Sequence, residues 1–137
     1  MSIEAICTHD KLEETVVNLL DPRRKPTKVQ IVAPIITDFK IRGSTFLKKI
    51  EYLLSSCSEF ISIVVVTRKP ILRTNMGAIN KAQVKQRMEL IEKLETELSA
   101  IGNVKVHKTK NKLHAKLILV ENRKEKLFLI GSSNYTR

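Results

Sequence analysis

His114 and Lys116 stand two residues apart inside Leu113–Val120, a run whose composition predicts a strand. A strand period of two puts both side chains on one face. An imidazole beside an ammonium suits a phosphate: one can attack phosphorus while the other holds a non-bridging oxygen. Beyond a polar turn, Gly131-Ser132-Ser133-Asn134 adds a glycine that lets the backbone approach a ligand closely. Ser132 and Asn134 add neutral hydrogen-bond donors. The pair alone says little, because lysine is abundant here. His9-Asp10-Lys11 repeats the spacing at the acidic start of a predicted helix, has no such sequel, and is read as a helix cap.

The order of these elements is more specific than any one of them. His114-x-Lys116, four residues, the acid Glu121, and then Gly131-Ser132-x-Asn134 resembles the motif of the phospholipase D superfamily. The segment Val32–Asp38, a helix, and Ile63–Thr67 looks like the opening β-α-β of the single-motif nucleases in that superfamily. The similarity extends over residues 28–137, with the tight motif confined to 114–134. It implies that His114 is the nucleophile of a phosphohistidine intermediate, that Lys116 and Asn134 bind phosphoryl oxygens, and that Ser132 supports them. It implies no metal and no other cofactor. Glu121 stands where the family usually has aspartate. Seven residues from His114, it falls on the opposite strand face, which gives it a supporting or structural role. Family members continue past the motif with a helix, a strand and a further acid, so the resemblance makes this sequence short at its carboxyl end.

One histidine cannot attack phosphorus and protonate the leaving oxygen at the same instant. Two-motif members of the superfamily pair their motifs across a pseudo-two-fold axis. A single-motif protein reproduces that pairing as a C2 homodimer, with both copies of His114, Lys116 and Asn134 in one cleft.

Charge selects the substrate. Lysine and arginine number 25 against 14 acids, a net +11. Residues 1–21 hold five acids and one lysine, a net −4, so residues 22–137 carry +15. A basic body of this kind attracts polyanions through phosphate neutralisation and counterion release. Arg68, Lys69 and Arg73 in a loop, with Lys110 and Lys112 leading into His114, are the expected phosphate-backbone contacts. With aromatics at 4% and no tryptophan, sequence-tolerant binding is expected over base readout.

The positioning elements follow from periodicity. Asp10 is read as an N-cap, with Leu12, Val16, Leu19 and Leu20 on one helical face; Pro22 and Pro26 then bracket a basic linker. Val29–Ala33 is a buried strand. Gly43-Ser44 opens a helix with Leu47, Ile50, Leu54 and Cys57 on one side, which makes Cys57 a small core residue. Ile61–Val66 reads as a central strand covered on both faces. Asn80 caps a long helix with Val84, Met88, Ile91, Leu94 and Leu98 inward, and Gly102-Asn103 stops it. Val104–Val106 is a short strand, with His107 at a surface or core edge. Leu113–Val120 and Leu127–Ile130 form a terminal hairpin about the turn 121–126.

Strands alternating with helices predict an α/β fold, a mixed sheet sandwiched by helices. It is one domain, in which an acidic helix over 1–21 precedes a catalytic body over 22–137. The cysteines and histidines lack zinc spacing, and no phosphate-binding glycine loop is present. No signal peptide or long apolar run appears, and two cysteines suit a reducing cytoplasm. The expected activity is a metal-independent nuclease on nucleic acid, DNA ahead of RNA. Two alternatives stay open: a phospholipid-processing member of the superfamily, and a basic module that binds nucleic acid without turnover.

Overall fold

The computed structural model describes residues 9–36, 38, 40–57, 61–110, 113 and 116–131, with side chains from Glu14 onward. The fold is α/β. Its elements are α1 (His9–Leu19), β1 (Lys28–Ala33), β2 (Lys40–Ile41), β3 (Ser44–Thr45), α2 (Phe46–Ser56), β4 (Ser62–Arg68), α3 (Ala78–Ile101), β5 (Val104–Thr109), β6 (Leu117–Glu121) and β7 (Lys126–Ile130).

Five strands form one mixed sheet in the order β5-β4-β1-β6-β7, and β2-β3 make a separate two-stranded ribbon. β1 pairs parallel with β4, and β4 parallel with β5. On its other side β1 pairs antiparallel with β6, which returns through a hairpin to β7. Both crossovers, through α2 and α3, step in the same direction, so right-handed connections set both helices on the same face. The core confirms it. Val29, Ile31, Ile63, Val65, Ile118, Val120 and Leu129 from the strands join Val16 and Leu19 of α1, Phe46, Ile50 and Leu53 of α2, and Leu94 and Leu98 of α3 in one buried cluster. The acidic helix is therefore part of the same core as the body.

The opposite face carries no helix among the described residues. Its rows are Lys105-Val64-Gln30-Leu119-Phe128 and His107-Val66-Val32-Leu117-Ile130. Phe128 and Ile130 are exposed, and Val64, Val66, Leu117 and Leu119 are half-buried. The reading of Ile61–Val66 as a strand covered on both faces is thus corrected. Its second face is screened mainly by cross-strand neighbours, and β-branched residues suit that position as well as a fully buried one.

Other boundaries shift for identifiable reasons. Asp10 lies within α1 rather than capping it. α2 is capped by Thr45, whose hydroxyl accepts from the Lys48 amide, while the Asp38 carboxylate accepts from the Leu47 amide at 2.9 Å. Two orphan amides of the first turn are thereby satisfied. Starting the helix at Phe46 turns Phe46, Ile50 and Leu53 fully inward and leaves Leu47, Leu54 and Cys57 partly buried. α3 begins at Ala78, so Asn80 is inside it, and Val84 and Met88 are only half-buried. Twenty-four residues span about 36 Å, whereas the strands beneath span about 20 Å. The N-terminal turns of α3 therefore overhang the carboxyl ends of β4 and β5.

Candidate functional site

Two of the described motif residues, Lys116 and Gly131, lie together at one end of the sheet. β1, β4 and β5 run parallel and finish at Ala33, Arg68 and Thr109. β6 enters beside the end of β1, with Leu117 opposite Val32, and β7 exits there, with Ile130 opposite Leu117. One step further the Gly131 amide donates to the Lys116 carbonyl at 3.1 Å. This bond joins the residue that closes H-x-K to the residue that opens G-S-S-N. Lys116 is half-buried and Gly131 exposed. Of the strand expected over Leu113–Val120, β6 takes up Leu117 onward, and Leu113 and Lys116 stand outside it. His114, Ser132, Asn134 and Lys112 lie outside the described residues.

Glu121 is not brought to this end. It closes β6 five residues from Lys116, about 17 Å along an extended backbone. Its carbonyl accepts from the Thr27 amide at 2.8 Å and the Thr27 hydroxyl at 3.1 Å, and its carboxylate lies 3.9 Å from the Lys126 ammonium. Its contacts are those of a residue that fixes the hairpin to the start of β1.

Arg68, Lys69, Arg73 and Lys110 all lie at or beyond the carboxyl ends of β4 and β5, on the edge that holds Lys116 and Gly131. All four are exposed. The loop that carries three of them is anchored by backbone bonds: Lys69 N–H to the Thr109 carbonyl at 2.8 Å and Arg68 N–H to the Pro34 carbonyl at 3.4 Å. The buried Thr67 hydroxyl also donates to the Pro34 carbonyl at 3.3 Å. The other basic residues of β5 point elsewhere. Lys108 faces the helices and pairs with Glu95 of α3 at 2.9 Å. Lys105 and His107 face the helix-free side of the sheet, because β5 runs on to Thr109 instead of ending at Val106.

Between this loop and α3 lies a pocket of about 350 Å³. Pro34, Ile35 and Ile36 follow β1 into it, Arg68 to Ile71, Arg73 and Met76 supply the loop side, and Val84, Arg87, Leu90 and Ile91 supply the α3 side. Arg87 is a cation that sequence reading passed over. At helical spacing it looks like an ordinary solvated position, and only the overhang of α3 brings it to the loop.

Among the described residues no three His, Cys, Asp or Glu side chains converge to hold a metal, and no helix is long and apolar enough to cross a membrane. No protein-family model matches this protein, and no curated protein is significantly similar to it.

Proposed function

We propose that this protein is a phosphodiesterase of the phospholipase D type that cleaves nucleic acid without a metal. The observation that supports the reading is the Gly131–Lys116 backbone bond, which sets the last residue of H-x-K beside the first residue of G-S-S-N. Four exposed cations share that edge. They favour a polyanionic backbone over a single lipid headgroup.

In the proposed reaction an imidazole nitrogen of His114 attacks phosphorus, and the bond from phosphorus to the leaving oxygen breaks. Lys116 and Asn134 stabilise the charge on the non-bridging oxygens. The leaving oxygen takes its proton from the second histidine, the partner subunit's His114 in a C2 dimer. That imidazole then takes a proton from water, whose oxygen attacks the phosphohistidine. The products are an alcohol, which carries the protonated leaving oxygen, a phosphomonoester, and free His114.

The test is cleavage of a labelled oligonucleotide in excess chelator, beside a short-chain phosphatidylcholine. Oligonucleotide cleavage that persists in chelator and is abolished by His114→Ala is expected, with phosphate trapped on His114 as an acid-labile, base-stable adduct. Cleavage that needs added magnesium or manganese, or an adduct elsewhere, overturns the mechanism. Turnover of the phosphatidylcholine alone moves the substrate to lipid. Binding without turnover is the second reading, for which the four exposed cations on that edge suffice. Tight binding with no cleavage, unchanged by His114→Ala, supports it.

A further inference from the structure

We infer that the pocket between the loop after β4 and the N-terminal turns of α3 holds one unstacked nucleobase, so that the preferred substrate is single-stranded. The inference rests on the nucleic-acid reading above and adds a site to it.

Burial divides the pocket into two parts. Ile36 and Ile91 are almost wholly buried, whereas the exposed lining residues are Arg68, Lys69, Arg73 and Arg87, with Ile71 beside them. An apolar interior with a cationic rim fits a ligand that has an apolar body and an anionic edge. The lining holds no acidic residue, and no described carboxylate pairs with any of the four cations. Four like charges around one opening repel one another, and an anion relieves that repulsion.

Size narrows the ligand. A volume of about 350 Å³ lies at the lower end of the range for small-molecule sites. It admits a single base with its sugar but not a duplex, whose bases stay stacked inside the helix. The two acyl tails of a diacyl lipid are too large for it. No aromatic side chain lines the pocket. Arginine guanidinium planes can stack on a base in place of one, over an aliphatic floor.

Position links the pocket to the motif. The pocket opens at the ends of β1 and β4, and Lys116 sits at the entry to β6 on the other side of β1. Strands lie about 4.8 Å apart, so β4 and β6 are separated by about 10 Å. Neighbouring nucleotides of one strand bridge such a distance, with one base in the pocket and a phosphate near Lys116. Open α/β sheets commonly hold ligands just beyond the carboxyl ends of their strands.

The test uses the full-length protein with His114→Ala, so that binding is read without turnover. Fluorescence anisotropy compares a labelled single strand, the matching duplex, and single strands with one abasic site moved along the sequence. The single strand is expected to bind at least about tenfold tighter than the duplex, and an abasic site at one register to weaken it about fivefold. Val84→Trp fills the pocket from a half-buried position and should remove the single-strand preference while leaving duplex affinity unchanged. Arg87→Glu, at an exposed site that folding tolerates, should lower single-strand affinity more than duplex affinity. Equal affinity for both forms, no abasic effect at any register, or displacement of the oligonucleotide by phosphatidylglycerol vesicles overturns the inference. Cleavage by the wild-type protein with no strand preference defeats the pocket alone. Preference without cleavage defeats the catalytic reading alone.

Discussion

The Gly131 amide donates to the Lys116 carbonyl, one residue beyond the last ladder pair between β6 and β7. Through that bond Gly131, which leaves β7, lies beside Lys116, which enters β6. Gly131→Pro removes the donor. A stability loss of about 1 kcal/mol is expected, with a fall in turnover of at least tenfold and little change in nucleic-acid affinity. Denaturant unfolding and single-turnover cleavage check it; turnover that falls no more than stability does would remove the bond from the mechanism.

Glu121→Gln tests the opposite end of the same strand. Its ion pair with Lys126 is long and partly solvated, so the change should cost less than about 1 kcal/mol. Turnover should stay within twofold of wild type. A hundredfold loss with normal stability would show that the carboxylate reaches the reaction after all.

The two faces of the sheet should respond differently to truncation. Ile118→Ala opens a cavity in the one buried cluster and should cost about 2–5 kcal/mol. Ile130→Ser, on the helix-free face and 75% exposed, should fall within about 0.5 kcal/mol of wild type. Chemical denaturation of the two variants side by side is the measurement.

Cys57 should behave as a core thiol. Partial burial raises its pKa, so the neutral form is favoured in the folded protein. In a Cys7→Ser background it should react with a disulfide reagent more slowly than a free thiol at neutral pH. The linkage has a definite sign. Its contribution to stability is complete below the ordinary thiol pKa and is lost as pH rises toward the raised folded value. Reaction as fast as free cysteine would contradict the burial.

Salt should weaken binding steeply. Arg68, Lys69, Arg73 and Lys110 are exposed cations on one edge, and each phosphate they neutralise adds about −0.9 to the slope of log affinity against log salt on duplex DNA. Arg73→Gln should flatten the slope by about one such increment. A slope near zero would reduce the basic body to a solubility device.

The strands that build the sheet's centre were legible in the sequence because Val29–Ala33 and Ile63–Val66 are unbroken apolar runs but for Gln30. What covers them was not. Val64 and Val66 read as doubly buried, yet they face the side without a helix, since composition reports a residue's preference and not the layer above it. β5 extends past Val106 through His107 and Lys108, whose polarity hides a ladder that backbone pairing with β4 secures. The pocket was invisible for a different reason. Arg68 and Arg73 were legible as loop cations, but Arg87 joins them only because α3 outruns the strands it packs on. The terminal hairpin was legible, and it is this hairpin that sets Lys116 beside Gly131. The structural role expected of Glu121 from its opposite strand face agrees with its contacts to Thr27 and Lys126.

The central position of β1 has a consequence for how the protein matures. Its β4 edge can be occupied as soon as residues 62–68 are made, but its β6 edge waits while α3 and β5 are synthesised. The hairpin is thus the closing piece of the sheet, joined by contacts of long sequence separation, which form slowly. It is also the piece that bears Lys116 and Gly131. A nascent polypeptide can therefore assemble most of its hydrophobic core, and expose the cations at the pocket mouth, before its chemistry is complete. On the proposed function, competence to bind would precede competence to cut, and a ribosome-stalled polypeptide halted before Leu117 should retain oligonucleotide without cleaving it.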